Sequence, residues 1–144
     1  MSERVVVTQD KSFRTEFKAG NPNDEESHDV EPVMHLHELT PYGMLLASVS
    51  ACTTIVVNSY ARNHDIPLKG VTVDASYDRV FRDDCEDCDG SNAYEEIIRE
   101  SVEFEGKLDE KLLRGFIKSQ KHVQSAVCWK MASKSKQTSA IITQ

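Results

Sequence analysis

The chain lacks the patterns that announce the commonest enzyme classes. Its 144 residues hold no Gly-x-Gly-x-x-Gly, no P-loop, no His-Glu-x-x-His and no Gly-x-Ser-x-Gly. Nucleotide cradles, zincins and serine hydrolases therefore find no support. Aromatic residues are scarce, at 7% with a single tryptophan, which leaves no platform for stacking bases. Basic residues are outnumbered too: 17 Lys and Arg against 24 Asp and Glu give a net charge of −7. A duplex would be repelled by that charge, so no nucleic-acid partner is expected. One segment runs against the balance, since Lys107 to Lys136 is basic with only Asp109 and Glu110 as acids. Its bases are spread along an expected helix and its exit, which reads as a solvated face.

Uninterrupted apolar runs are missing as well. The longest nearly uncharged stretch, Thr40 to Ala61, is broken by Ser48, Ser50, Thr53, Thr54, Asn58 and Ser59. A buried helix is expected there, and no membrane partner. Met1-Ser-Glu-Arg4 does not open a signal peptide, because no apolar run follows its charge. The four cysteines thus lack a secretory context, which points to a reducing cytoplasm and free thiols. Cys85 and Cys88 form a Cys-x-x-Cys inside the acidic run Asp83–Asp89, but no second pair completes a zinc site. An exposed loop, a metal ligand pair and a redox dithiol all stay open for it, with the loop favoured. The surrounding carboxylates raise thiol pKa values and so disfavour a fast dithiol. His35 and His37 alternate as strand neighbours would, and a chance pair is the simpler reading than ligands. No metal and no cofactor are expected.

What is present reads as one α+β domain over residues 1–144, a length that can bury a real core. Val5–Thr8 and Phe13–Phe17 read as short strands around a turn. Gly20–Glu31 is a polar, acidic loop, and Val33–Glu38 is expected as a brief strand. Val71, Val73, Ala75 and Tyr77 alternate with polar residues in a strand to about Arg82, and Asp83–Asn92 reads as a loop. Tyr94–Glu105 is a second long strand, with Ile98, Val102 and Phe104 on one face. Leu108, Leu112, Leu113, Phe116 and Ile117 mark an amphipathic helix from near Asp109, and Thr138–Thr143 is a closing β-branched strand.

The chemistry-bearing feature is Cys52, in the middle of Thr40-Pro-Tyr-Gly-Met-Leu-Leu-Ala-Ser-Val-Ser-Ala-Cys-Thr-Thr54. Thr40 suits a helix N-cap and Pro41 the first helical position, where its missing N–H is not needed. Leu45, Val49, Cys52, Val56 and Tyr60 then recur at three- and four-residue steps as one stripe, and Pro67 limits the helix near Asn63. Met44 to Val57 is apolar nearly all round, whereas a helix lying on one sheet buries a single side. The remaining face asks for a partner, most simply a second copy of the chain. Packing alone explains many cysteines on apolar helices.

The same segment resembles the signature of the OsmC/Ohr family, thiol-dependent hydroperoxide reductases and their relatives, which runs roughly Thr-Pro-Tyr-Glu-Leu-Leu-Leu-Ala-Ala-Leu-Gly-Ala-Cys-Thr. The likeness continues at Ala61, Pro67-Leu68, Gly70-Val71, Asp84–Cys88 and Glu105–Asp109. The resemblance implies an antiparallel-rich sheet, a long buried central helix, a second amphipathic helix and an intertwined homodimer. It implies Cys52 as the nucleophile toward an organic hydroperoxide, with an external thiol as reductant. It also implies a resolving thiol after the second helix, and Cys128 is the candidate, a core cysteine beside Trp129 being the alternative. The family's glutamate falls on Gly43, and its arginine partner would come from Arg4 or Arg14. With that glutamate absent, a non-catalytic dimeric binding or stress-response module is the second reading.

Overall fold

The computed structural model describes residues 2–23, 29–81, 94–108, 111, 114–115, 128–132 and 139–143. Among the described residues, seven strands form one sheet: β1 (Ser2–Asp10), β2 (Thr15–Gly20), β3 (Val30–Pro32), β4 (Leu68–Phe81), β5 (Tyr94–Gly106), β6 (Cys128–Ala132) and β7 (Ser139–Thr143). Their order across the sheet is β3-β2-β1-β4-β5-β7-β6, with antiparallel pairing at each step. Between β3 and β4 the chain makes a 3-10 turn, Leu36–Glu38, and then α1, Pro41–Asn63. The architecture is α+β, as expected.

Period-two alternation decides which side of the sheet α1 covers. Glu3, Val5, Val7 and Gln9 of β1 are buried, and so are Val71, Val73, Ala75 and Tyr77 of β4. In register they form continuous rows: Val7–Val73–Val102, Val5–Ala75–Glu100 and Glu3–Tyr77–Ile98. Arg4 and Asp74 lie on the opposite, solvent-facing side, where the guanidinium donates to both carboxylate oxygens at 2.9 and 2.6 Å. Thr8 and Thr72 bond across the same outer face.

Two apolar clusters hold α1 to the sheet. One joins Leu39, Leu46 and Ala47 to Val5, Val7, Ala75 and Tyr77; the other joins Val57 and Ala61 to Leu68, Val71, Val73 and Val102. The helix residues between them on the buried side, Ser50, Thr53 and Thr54, are polar. Gly106 has φ +147° at the irregular end of the β4–β5 pairing, and an added Cβ there would stand 2.6 Å from the Pro67 carbonyl. Glycine is the residue that fits this place.

Two sequence expectations need correction. Val33–Glu38 is not a strand: pairing stops at Pro32, and Glu38 turns back to accept hydrogen bonds from the backbone N–H groups of Met34 and His35. That side-chain-to-backbone closure favours a tight turn over a ladder. The segment Cys128–Ala132, expected as a helix exit, is strand β6 at the sheet edge. The Asp83–Asn92 loop and most of the second amphipathic helix lie outside the described residues, although Lys111, Arg114 and Gly115 are helical.

Candidate functional site

Thr40 caps α1 as its type suggests. Its hydroxyl accepts from the Gly43 N–H at 3.0 Å, and Pro41 stands at the first helical position. The buried side of the helix carries Gly43, Leu46, Ala47, Ser50, Thr53, Thr54, Val57, Asn58 and Ala61. The other side is left open. Leu45 is 46% exposed and Ile55 48%, Met44 and Cys52 are exposed with them, and Val49 and Val56 are half-buried. The stripe Leu45–Val49–Cys52–Val56 therefore faces away from the sheet and carries the Cys52 thiol, whereas Tyr60, the last residue expected in it, packs against the Val57–Val73–Val102 cluster. By length and composition α1 is apolar enough to cross a membrane, but its packing on β1 and β4 is that of a core helix.

Polar side chains beneath α1 complete its seating. Asn58 donates through Nδ2 to Gln9 Oε1 at 2.7 Å and to the Asp10 carbonyl at 3.2 Å, and Gln9 in turn donates to the Thr15 hydroxyl. Glu100 is 2% exposed and accepts from the Ser50 hydroxyl at 3.5 Å. Burial pushes its carboxyl above the ordinary range, while hydrogen bonds from Ser50 and Thr53 act the other way. The alternation carried a signal for these residues: Gln9 falls in phase with Val5 and Val7, and Glu100 with Ile98 and Val102. A polar residue in an apolar phase marks a buried polar contact.

A carboxylate also stands at the start of the helix. Glu3, 7% exposed, accepts from the Thr40 hydroxyl, and a Cβ on Gly43 would lie 3.2 Å from Glu3 Oε2. Position 43 is thus glycine next to a carboxylate delivered by β1. Neither arginine named from the sequence reaches this side of the sheet: Arg4 faces outward to Asp74, and Arg14 is exposed beside the β1–β2 turn.

Cys128 opens β6 opposite Thr143, in the register row Ser76–Arg99–Thr143–Cys128. The row one residue along is Ala75–Glu100–Ile142–Trp129, of which Ala75 and Glu100 are buried on the side that α1 covers. Cys85 and Cys88 lie outside the described residues. The His35 and His37 rings stack with centroids 5.4 Å apart and an interplanar angle of 8°, both side chains exposed. Parallel rings direct their in-plane lone pairs alongside one another, which does not make a chelate. Among the described residues no cluster of three metal-ligating side chains occurs. Two polar grooves, of about 530 and 330 Å³, lie along β2–β3 and along β4–β5, and Cys52 lines neither.

No family model and no curated protein matches the chain by sequence. Structure is more informative. The crystal structure of an OsmC-like hydroperoxide resistance protein from Jannaschia sp. CCS1 superposes with a TM-score of 0.53, covering 95% of this chain and 97% of that one. The fold is OsmC-like. At 9% identity the likeness establishes the OsmC-like architecture and leaves the chemistry to the residues of this chain.

Proposed function

We propose that this chain is a thiol-based redox protein that reduces organic hydroperoxides through Cys52 in defence against oxidative stress. The observation that carries the reading is an exposed thiol at the centre of an apolar helical stripe, on a fold shared with a hydroperoxide resistance protein. The Cys52 thiolate attacks a peroxide oxygen, an S–O bond forms as the O–O bond breaks, and the alkoxide leaves as an alcohol after taking a proton. Cys52 is then a sulfenic acid. A second thiol, from Cys128 or an external reductant, attacks its sulfur, an S–S bond forms and water leaves. A dithiol reductant returns the protein to its starting state. Leu45, Val49, Ile55 and Val56 supply apolar surface for the organic part of the substrate.

The same stripe supports a homodimer, since an exposed apolar face such as Met44, Leu45 and Ile55 present is the usual mark of an association surface. We place the protein in the cytoplasm, where thiols stay reduced. One observation favours the non-catalytic alternative: Gly43 leaves the helix without the acidic residue of the family's signature, and the nearby carboxylate of Glu3 is bonded to Thr40.

One equivalent of an organic hydroperoxide, followed by peptide mass spectrometry, separates the readings. A Cys52–Cys128 cross-linked peptide pair supports the complete scheme. Sulfinic acid at Cys52 with Cys128 still alkylatable keeps the nucleophile and removes the resolving role. An unmodified Cys52 refutes the peroxidase reading and leaves the binding module.

A further inference from the structure

Beneath the turn that carries Cys52 lies a carboxyl group with little to hold it. Glu100 enters from β5 into the polar gap between the two apolar clusters, and its Oε2 is buried with no hydrogen-bond partner among the described residues. From α1 it meets the hydroxyls of Ser50 and Thr53, two residues before Cys52 and one after it. From β4 it faces Ala75, with Val73 and Tyr77 on the diagonals, and Ile98 and Val102 flank it on its own strand. The β7 residue paired with it is Ile142. The described titratable groups on this side of the sheet include Tyr77, Tyr42 stacked on it, Glu3 beyond them, and Tyr60 toward the far end of α1. None of these four carries a positive charge that could compensate Glu100.

A helix turns about 100° per residue, so Ser50 and Thr53 point to the sheet while Cys52 points out across a helix roughly 10 Å thick. We infer that Glu100 is a proton-linked positioning residue for Cys52: the neutral carboxyl seats the Ser50–Thr53 turn on the sheet, and the carboxylate loosens that turn and opposes a thiolate on its far side. A buried carboxylate without a cation or a full set of donors draws in water, and the Ser50–Thr53 turn is the wall that must move to admit it. The inference rests on Cys52 being the reactive thiol of the proposed function, though not on peroxide being its substrate.

The test uses no peroxide. Alkylation of Cys52 by iodoacetamide is followed from pH 5 to 9 by peptide mapping, in the wild type and in Glu100→Gln, which keeps the shape and removes the charge. Amide exchange at residues 50–54 is recorded alongside. In Glu100→Gln the rate should rise tenfold per pH unit, as for a lone thiol, until it saturates. In the wild type it should rise less than tenfold per unit while Glu100 ionises, and protection of the 50–54 amides should fall over the same interval. Ser50→Ala, which removes a hydrogen bond that favours the carboxylate, should move that interval to higher pH. Superposable alkylation and exchange profiles in wild type and Glu100→Gln would overturn the inference.

Discussion

Replacing Gly43 by alanine sets two known effects against each other at one carbon atom. Alanine in place of glycine within a helix stabilises by up to about 1 kcal/mol. Here the new methyl would stand 3.2 Å from Glu3 Oε2, 3.4 Å from Thr40 Oγ1 and 3.5 Å from Leu39 Cβ. Glu3 cannot swing aside freely, because it is 7% exposed and holds the Thr40 hydroxyl that also caps the helix. Overpacking of this kind costs roughly 1–3 kcal/mol, so Gly43→Ala should be neutral or destabilising by up to about 2 kcal/mol. Removing the carboxylate with Glu3→Ala opens the space, and in that background the same Gly43→Ala change should stabilise by up to about 1 kcal/mol. Urea unfolding of the four proteins gives the coupling directly, expected at roughly 1–3 kcal/mol. A coupling below about 0.5 kcal/mol would show that Glu3 is not what keeps position 43 a glycine.

Glu100 gives stability a pH dependence whose sign follows from its raised pKa. The unfolded chain loses this proton first, so stability falls as pH rises from the ordinary carboxylate value to the folded one and then levels off; thermal unfolding of Glu100→Gln should lack that decline. Leu45→Asp and Ile55→Asp alter side chains 46% and 48% exposed on a single chain. They should leave the folded chain intact yet shift sedimentation from the dimer toward 16.2 kDa, and a wild type that already runs at that mass refutes the dimer. Gly106→Ala meets the Pro67 carbonyl at 2.6 Å and a φ of +147°, and it should lower stability by more than about 1 kcal/mol in urea unfolding.

The strands whose burial alternates are legible in the amino-acid order alone. Val5, Val7, Val71, Val73 and Val102 announce their own phase, and Thr40-Pro41 marks the start of α1 to the residue. Leu36–Glu38 imitates a strand because His35 and His37 mimic alternation, whereas the backbone is closed by the Glu38 carboxylate, an interaction without a period. Strand β6 is hidden because its identity comes from pairing with β7, further along the chain, rather than from local composition. The open side of α1 can be inferred from its excess of apolar residues. Which side bears Cys52 cannot, since the helix is apolar nearly all round and small polar residues under it, Ser50 and Thr53, take their burial from Glu100 across the sheet.

Whether Cys52 does redox chemistry on organic hydroperoxides is decided by turnover. Peroxide-dependent oxidation of a dithiol is measured with the wild type and with Cys52→Ser at equal concentration. The wild type should consume peroxide, and Cys52→Ser should show only the uncatalysed background. Equal rates for the two proteins would contradict a redox role for Cys52.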